Sequence, residues 1–361
     1  MKVLILAGGF GTRLRPISCT RPKSLLQIVN KPLLQWIYER LAKNNITEAI
    51  LAVNHFTEVY IKQNRIPKSG LTVKYSRDPL RKPLGTGGPI RKAERLIGHD
   101  ETFLVLNGDI FADVNYTEIL KQHRENGAVA TMALHKVEDP SRYGVAELAE
   151  NNRIKRFVEK PPRKTAPSNL INAGVYALDP KIFDYLPKGR AFSIEREVFP
   201  RLAEEGELYG YVFDGLWTDI GEPEDYLKLN RTLLDSLGNM QTHKVGNNVE
   251  IKKPVAFDKG VTVGEKSVIG PHSVIGRDVT IGKNVHVQNS VVLPKTVIQD
   301  FSFIDDSIIG EEVSIGKKAR MKKCIIGDHA RIRDNVVIVE GVTVCPAKEV
   351  SESVLTPKHI C

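Results

Sequence analysis

Two hydrophobic rhythms run along this chain. Up to about residue 236, short apolar runs at residues 2–7, 49–53, 72–75 and 103–106 have the length and composition of strands, with helical stretches between them. Pro32 opens one predicted helix, whose apolar face is Leu34, Ile37, Tyr38 and Leu41. Others are predicted over 89–96 and 223–236. Strands and helices in alternation predict an α/β domain built on a mainly parallel sheet with helices on both faces. Ligands of such sheets bind beyond the carboxyl ends of the strands.

Leu237 to His243 lack periodicity, and after them the rhythm changes. Val263, Ile269, Ile275, Ile281, Val287 and Leu293 recur at intervals of six, several followed by glycine. The register slips, resumes at Ile309, Ile315 and Met321, and resumes again at Ile326, Ile332, Ile338 and Val344. A six-residue aliphatic period suits neither an amphipathic helix nor an alternating strand. It predicts a hexapeptide-repeat parallel β-helix, in which each hexad supplies one short strand and each coil stacks on the last. The expected organisation is a Rossmann-like domain over 1–236, a linker over 237–248 and a β-helix over 249–361.

Composition narrows the functional classes. At 361 residues, two domains are expected. No apolar run approaches the roughly 20 residues of a spanning helix. Met1 to Ala7 lead straight into Gly8-Gly9-Phe10-Gly11 with no cleavage region. The expectation is a cytoplasmic protein with no membrane partner. Cys19, Cys324, Cys345 and Cys361 are far apart and form no C-x-x-C pair, so reduced thiols are expected, with neither a zinc site nor a disulfide framework. The formal charge is +9, of which residues 1–244 carry +7. Anionic ligands suit that basic part. A nucleic-acid partner does not, because no dense basic block interleaves with aromatics.

The first strand runs into Leu6-Ala7-Gly8-Gly9-Phe10-Gly11-Thr12-Arg13-Leu14-Arg15-Pro16. Glycines let backbone N–H groups approach an anion closely. Position 14 is leucine, which breaks a dinucleotide fingerprint, and the Gly-Lys-Ser/Thr ending of a P-loop is missing. Arg13 could offer a planar fork to phosphate oxygens and Lys23 a second cation, although either alone reads equally as a surface charge. Asn107-Gly108-Asp109 ends a predicted strand, and Asp219 precedes the helix opened by Pro223. Two such carboxylates could share one Mg²⁺. Each alone could equally be a turn former or a helix cap.

Gly-Gly-x-Gly-Thr-Arg-Leu-x-Pro followed by Pro22-Lys23 resembles the signature of the nucleoside-diphosphate-sugar pyrophosphorylases, the sugar-1-phosphate nucleotidylyltransferases. Ser24 departs from the proline common there. The resemblance implies a nucleoside triphosphate and a sugar 1-phosphate as partners and Mg²⁺ as cofactor. It implies that Leu6, Ala7, Gly8, Gly9, Gly11 and Thr12 wrap the triphosphate, that Arg13 holds the departing pyrophosphate, and that Lys23 holds phosphate in the transition state. Asp109 and Asp219 match the metal aspartates. Gly85 and Thr86, in Pro83-Leu84-Gly85-Thr86-Gly87-Gly88-Pro89, fall in the base-recognition segment. Gly144, Glu159, Lys160, Asn172 and Gly174 fall in the sugar-phosphate pocket, with Asp109 beside them.

Within the family the likeness runs to guanylyltransferases with a C-terminal left-handed β-helix, implying GTP, mannose 1-phosphate and GDP-mannose. Thymidylyl or uridylyl transfer to glucose 1-phosphate is the alternative, since sister enzymes share every catalytic motif. A bifunctional acyltransferase using His272, His286 or His329 ranks lower, as does a non-catalytic regulatory subunit, whose motifs should be eroded. A homo-oligomer through the β-helix is expected, because exposed strand edges must be covered or paired.

Overall fold

Val3, Leu4 and Ile5 of β1 (Lys2–Leu6) are completely buried, as a strand covered on both faces requires. β1 pairs in parallel with β2 (Glu48–Val53), and β2 in parallel with β3 (Thr72–Arg77). On its other side lies β4 (Phe103–Asn107), also parallel. The chain continues through β5 (Ile110–Ala112), β6 (Ala130–Lys136), β7 (Gly144–Leu148), β8 (Ile154–Glu159), β9 (Leu170–Leu178), β10 (Leu208–Val212) and β11 (Trp217–Asp219). The computed structural model describes residues 1–79, 83–237 and 248–361.

Among the described residues, nine of these strands form one sheet in the order β8-β7-β9-β4-β1-β2-β3, with β6 joined to β9 and β10 to β6. The sheet is mixed, because β9 runs antiparallel to β4, β6 and β7. β5 and β11 make a separate antiparallel ladder. Helix Leu33–Lys43 buries the predicted face, Leu34, Ile37, Tyr38 and Leu41, but begins after Pro32. The helix expected over 89–96 is two short ones, Gly88–Lys92 and Glu94–Ile97, meeting at Ala93. The chain forms two compact units, Met1–Gly9 with Leu33–Asp219, and Phe10–Pro32 with Ile220–Cys361.

The second unit contains helix Pro223–Leu237 and a hexapeptide-repeat left-handed β-helix made of three parallel sheets. Corner residues such as Lys266, Asp278, Asn284 and Lys318 take left-handed φ between the short strands. Ile275, Val292, Ile309, Ile326 and Val344 stack in one column. Leu293 is therefore one residue late, and Val292 holds the stacking position. The slips in the hexad rhythm arise because coil steps of both 17 and 18 residues occur. At the short corners Ser290, Ser307 and Cys324 stack, each buried: Ser307 N donates to Ser290 Oγ at 3.0 Å, and Cys324 N to Ser307 Oγ at 3.2 Å.

Cys345 and Cys361 form a disulfide, with Cα atoms 4.9 Å apart. Coil stacking is the reason: Val344 pairs with Ile360, so the next residue of each strand lies in register although 16 positions separate them in sequence. Cys19 and Cys324 are free. Of the linker expected over 237–248, Leu237 ends the helix and residues 238–247 lie outside the described residues. No helix among the described residues is long and apolar enough to cross a membrane.

Candidate active site

In the first unit, the carboxyl ends of four parallel strands gather polar groups. Leu6, the last residue of β1, pairs with Ala52 and Asn107, and Ala7 N donates to Ala52 O at 2.8 Å. Gly8 comes next. A Cβ there would lie 2.9 Å from Asp78 Oδ2, and Asn54 Nδ2 donates to Gly8 O at 2.9 Å. Asn54 also caps helix His55–Gln63 by accepting from Thr57 N. Asp78 follows β3, and burial pushes its carboxyl above the usual range, opposed by Lys92. A Cβ on Gly9 would meet nothing within 4 Å among the described residues.

Asp109 follows Asn107-Gly108 at the end of β4. Gly108 N donates to Leu6 O at 2.9 Å, tying this turn to β1. In the β5–β11 ladder Asp219 stands opposite Ile110, the neighbour of Asp109 in sequence. The pairing of two short strands thus brings two distant carboxylate-bearing positions to one place.

The same unit assembles the other predicted residues. Gly144 pairs with Glu159, and a Cβ at Gly144 would come 2.8 Å from Glu159 Oε2. The Glu159 carboxyl is raised by burial first and by Glu195 second, against Lys160 and Arg196. Lys160, with φ +50, lies 3.9 Å from Glu159 and is half exposed. Asn172 Oδ1 accepts from Gly174 N at 2.8 Å, while its Nδ2 donates to the Tyr176 hydroxyl at 2.9 Å. Gly174 packs against Asn107 and Ile110. Trp217 Nε1 donates to Ala173 O at 3.1 Å, and Tyr143 meets the Trp217 ring edge to face.

Gly85, with φ +72, lies against the Phe192 carbonyl so closely that no Cβ fits. Thr86 Oγ1 donates to Glu195 and accepts from Ile194 N at 3.1 Å. Gly85 and Thr86 are therefore fastened to Phe192 and to the first turn of helix Ile194–Glu197.

Gly11, Thr12, Arg13 and Lys23 belong to the second unit. Gly11 takes φ +59 ahead of the turn Thr12–Leu14, and a Cβ there would lie 3.2 Å from Lys23 Cβ. Ser18 Oγ donates to Gly11 O at 2.7 Å. Lys23 is buried, whereas Arg13 is more than half exposed, 3.8 Å from Glu222.

The sequence matches the family described as Nucleotidyl transferase over residues 2–236, and that described as GMPPB C-terminal domain over 251–360. The chain belongs to the sugar-1-phosphate nucleotidylyltransferase family. It is 37% identical to the mannose-1-phosphate guanylyltransferase catalytic subunit beta of Danio rerio over 100% of both chains. It is 36% identical to mannose-1-phosphate guanylyltransferase 1 of Arabidopsis thaliana, again over 100% of both. Among solved structures, HddC from Yersinia pseudotuberculosis complexed with GMP-PN is similar with a TM-score of 0.55 and 29% identity, over 64% of this chain and 99% of HddC.

As a sugar-1-phosphate nucleotidylyltransferase, the protein transfers a nucleotidyl group from a nucleoside triphosphate to a sugar 1-phosphate, giving a nucleoside-diphosphate sugar. Sequence reasoning missed Asn54, Asp78, Asn107, Tyr176 and Glu195 around the predicted residues. Asn54, Asp78 and Asn107 carried a signal, since each sits at the carboxyl end of a parallel strand. Tyr176 and Glu195 carried none, because only the folded register brings them to Asn172 and Thr86. Among the described residues no three His, Cys, Asp or Glu side chains cluster as a metal cage. A pair of hard oxygen donors from Asp109 and Asp219 still fits Mg²⁺, which keeps its other positions for phosphates and water. The three histidines considered for acyl transfer show nothing shared: His272 pairs with Asp235, His329 with Glu312, and His286 packs near Phe303.

Proposed function

We propose that the protein joins GTP to mannose 1-phosphate, giving GDP-mannose and pyrophosphate. One observation carries this reading: similarity to mannose-1-phosphate guanylyltransferases extends over the whole of both chains. The GMP-PN complex of HddC supports the choice of base.

In this reading a sugar-phosphate oxygen, already an anion, attacks the α-phosphorus in line. The new P–O bond forms as the bond to pyrophosphate breaks, so no protein nucleophile is needed. The chain's task is positioning and charge neutralisation. Gly8, Gly9, Gly11 and Thr12 present backbone to the triphosphate; the open space at Gly9 suits such an approach. Leu6 and Ala7 hold that loop to β1. Arg13 neutralises the leaving pyrophosphate and Lys23 the reacting phosphate. Asp109 and Asp219 would hold Mg²⁺, which when bound would neutralise phosphate charge. Gly85 and Thr86 line the base. Glu159, Asn172, Gly144 and Gly174 orient the sugar, and Lys160 meets its phosphate.

A cytoplasmic homo-oligomer completes the proposal, the strand edges of the β-helix providing surfaces that pairing would cover. The test is a matrix of triphosphates against sugar 1-phosphates, read by pyrophosphate release, with light scattering on the same sample. GTP with mannose 1-phosphate should give the highest kcat/KM. A wide preference for dTTP or UTP with glucose 1-phosphate would overturn the substrate pair, and a monomer the assembly.

A further inference from the structure

Segment Phe10–Pro32, which carries Gly11, Arg13 and Lys23, is fastened to the β-helix at a buried point inside the second unit. Arg21 is 2% exposed. Its Nη2 donates to Asp328 Oδ2 at 2.5 Å and to Glu311 Oε2 at 3.1 Å. Thr20 Oγ1 donates to the same Asp328 oxygen.

The β-helix itself shows which part of this arrangement folding needs. Asp300, Asp328 and Asp334 occupy equivalent corners. Each Oδ1 accepts from a backbone N–H one coil earlier: Lys283 at 2.8 Å, Glu311 at 2.7 Å and Lys317 at 2.8 Å. A glycine precedes each donor, Gly282, Gly310 and Gly316, and the aspartate leaves no room there for a Cβ. One oxygen therefore serves the coil at all three corners. Asp328 alone of the three is buried, and its other oxygen turns to Arg21 and Thr20. Coil stacking does not explain that second set of bonds.

The connection to Lys23 is short and stiff. Pro22 lies between Arg21 and Lys23 with φ −64, which its ring fixes. Lys23 opens the turn Lys23–Leu25, closed by Leu25 N donating to Pro22 O at 2.9 Å. A shift of Arg21 is thus passed along rather than absorbed. Gly11 packs on the Lys23 stem, so the glycine loop would follow.

We infer that Arg21 is a positioning residue for nucleotidyl transfer, and that through Asp328 the β-helix holds the Lys23 turn in its working place. The inference rests on the proposed role of Lys23. It makes the C-terminal repeat part of the apparatus that places Lys23.

The full-length chain is tested as Asp328→Asn, Arg21→Met and Arg21→Lys, with Asp334→Asn as the corner control that has no loop contact. Asp328→Asn keeps the Oδ1 acceptor and removes the charge. Asp328→Asn and Arg21→Met should lose on the order of 100-fold in kcat, as expected for displacement of a reacting group by about 1 Å, with KM for the sugar phosphate nearly unchanged. Arg21→Lys should recover part of the loss, and Asp334→Asn should turn over like the unaltered chain. Tryptic cleavage after Lys23 gives a readout independent of activity, and it should rise in Asp328→Asn and Arg21→Met but not in Asp334→Asn. Equal kcat in Asp328→Asn and Asp334→Asn, or equal cleavage after Lys23, overturns the inference. If the unaltered chain transfers no nucleotide, the functional reading fails, and the cleavage comparison still decides whether Asp328 holds the turn.

Discussion

Gly174 and Asn107 meet so closely that a Cβ on the glycine would lie 2.7 Å from Asn107 Nδ2, and Gly174 holds φ +70. Space and backbone conformation both demand glycine. Gly174→Ala should cost about 1–3 kcal/mol of stability and lower turnover as well, because Asn107 lies two residues before Asp109. Denaturant midpoints and steady-state rates check this. An alanine variant as stable and as active as the unaltered chain would show that the contact relaxes freely.

Asp109→Asn and Asp219→Asn should each lower turnover at least ~10-fold at limiting Mg²⁺ while melting near the normal temperature, since outer-shell partners of metal ligands alone are worth that much. The motive is the β5–β11 ladder, which sets Asp219 opposite the neighbour of Asp109. Near-normal rates in both variants would remove the metal assignment.

The sequence exposed the architecture because each half keeps its own hydrophobic period, and stacking of hexads needs only that period. Ile269, Ile275 and Ile281 are buried where the six-residue spacing put them. Leu293 was placed one residue late, since a shortened corner at Ser290 leaves the local pattern almost unchanged. The places of Asp109 and the glycine loop just after strand ends were legible because the strands ahead of them are short apolar runs. Long-range pairing was not. Nothing near Cys345 announces Cys361, and nothing near Arg21 announces Asp328; both pairs follow from coil stacking or loop docking, which sequence spacing does not encode.

Two lysines are predicted to differ in kind. Lys23 is buried and Lys160 half exposed. Lys23→Ala should lower kcat more than it raises either KM, because its charge is proposed to act chiefly in the transition state. Lys160→Ala should chiefly raise KM for the sugar phosphate. Both constants for both substrates decide it, and the reverse pattern would exchange the two roles.

Glu159 should show its burial in pH dependence. Burial and then Glu195 raise its carboxyl above the ordinary range, with Lys160 and Arg196 opposing. An acid raised on folding contributes stability below its unfolded pKa, and that contribution is lost as pH rises through the folded value. Above that raised value the ionised side chain is therefore a cost to stability. Glu159→Gln should melt higher than the unaltered chain near neutrality and converge with it near the ordinary glutamate pKa of about 4.3. Its KM for the sugar phosphate should rise. A variant melting lower at both pH values would mean that the carboxylate is stabilised by partners rather than burdened by burial.

The disulfide makes the last prediction, and it concerns the end of the β-helix. Strand His359–Ile360 pairs with Thr343–Val344, and between them Leu355 is exposed and few residues are buried. A two-residue strand returning across such a segment has little burial of its own to hold it, so the Cys345–Cys361 bond should supply much of the restraint. Closing a loop of this length constrains the unfolded chain by up to about 3 kcal/mol. Reductant should therefore lower the melting temperature of the unaltered protein and leave Cys361→Ser, already lower, unchanged. Hydrogen exchange should localise the difference to Thr343–Val344 and His359–Ile360, with the coils near Ile275 unaffected. Nucleotidyl transfer should survive, because Asp328 and Arg21 lie outside the loop that the bond closes. Equal melting with and without reductant would show that the terminal strand is held by its backbone pairing alone.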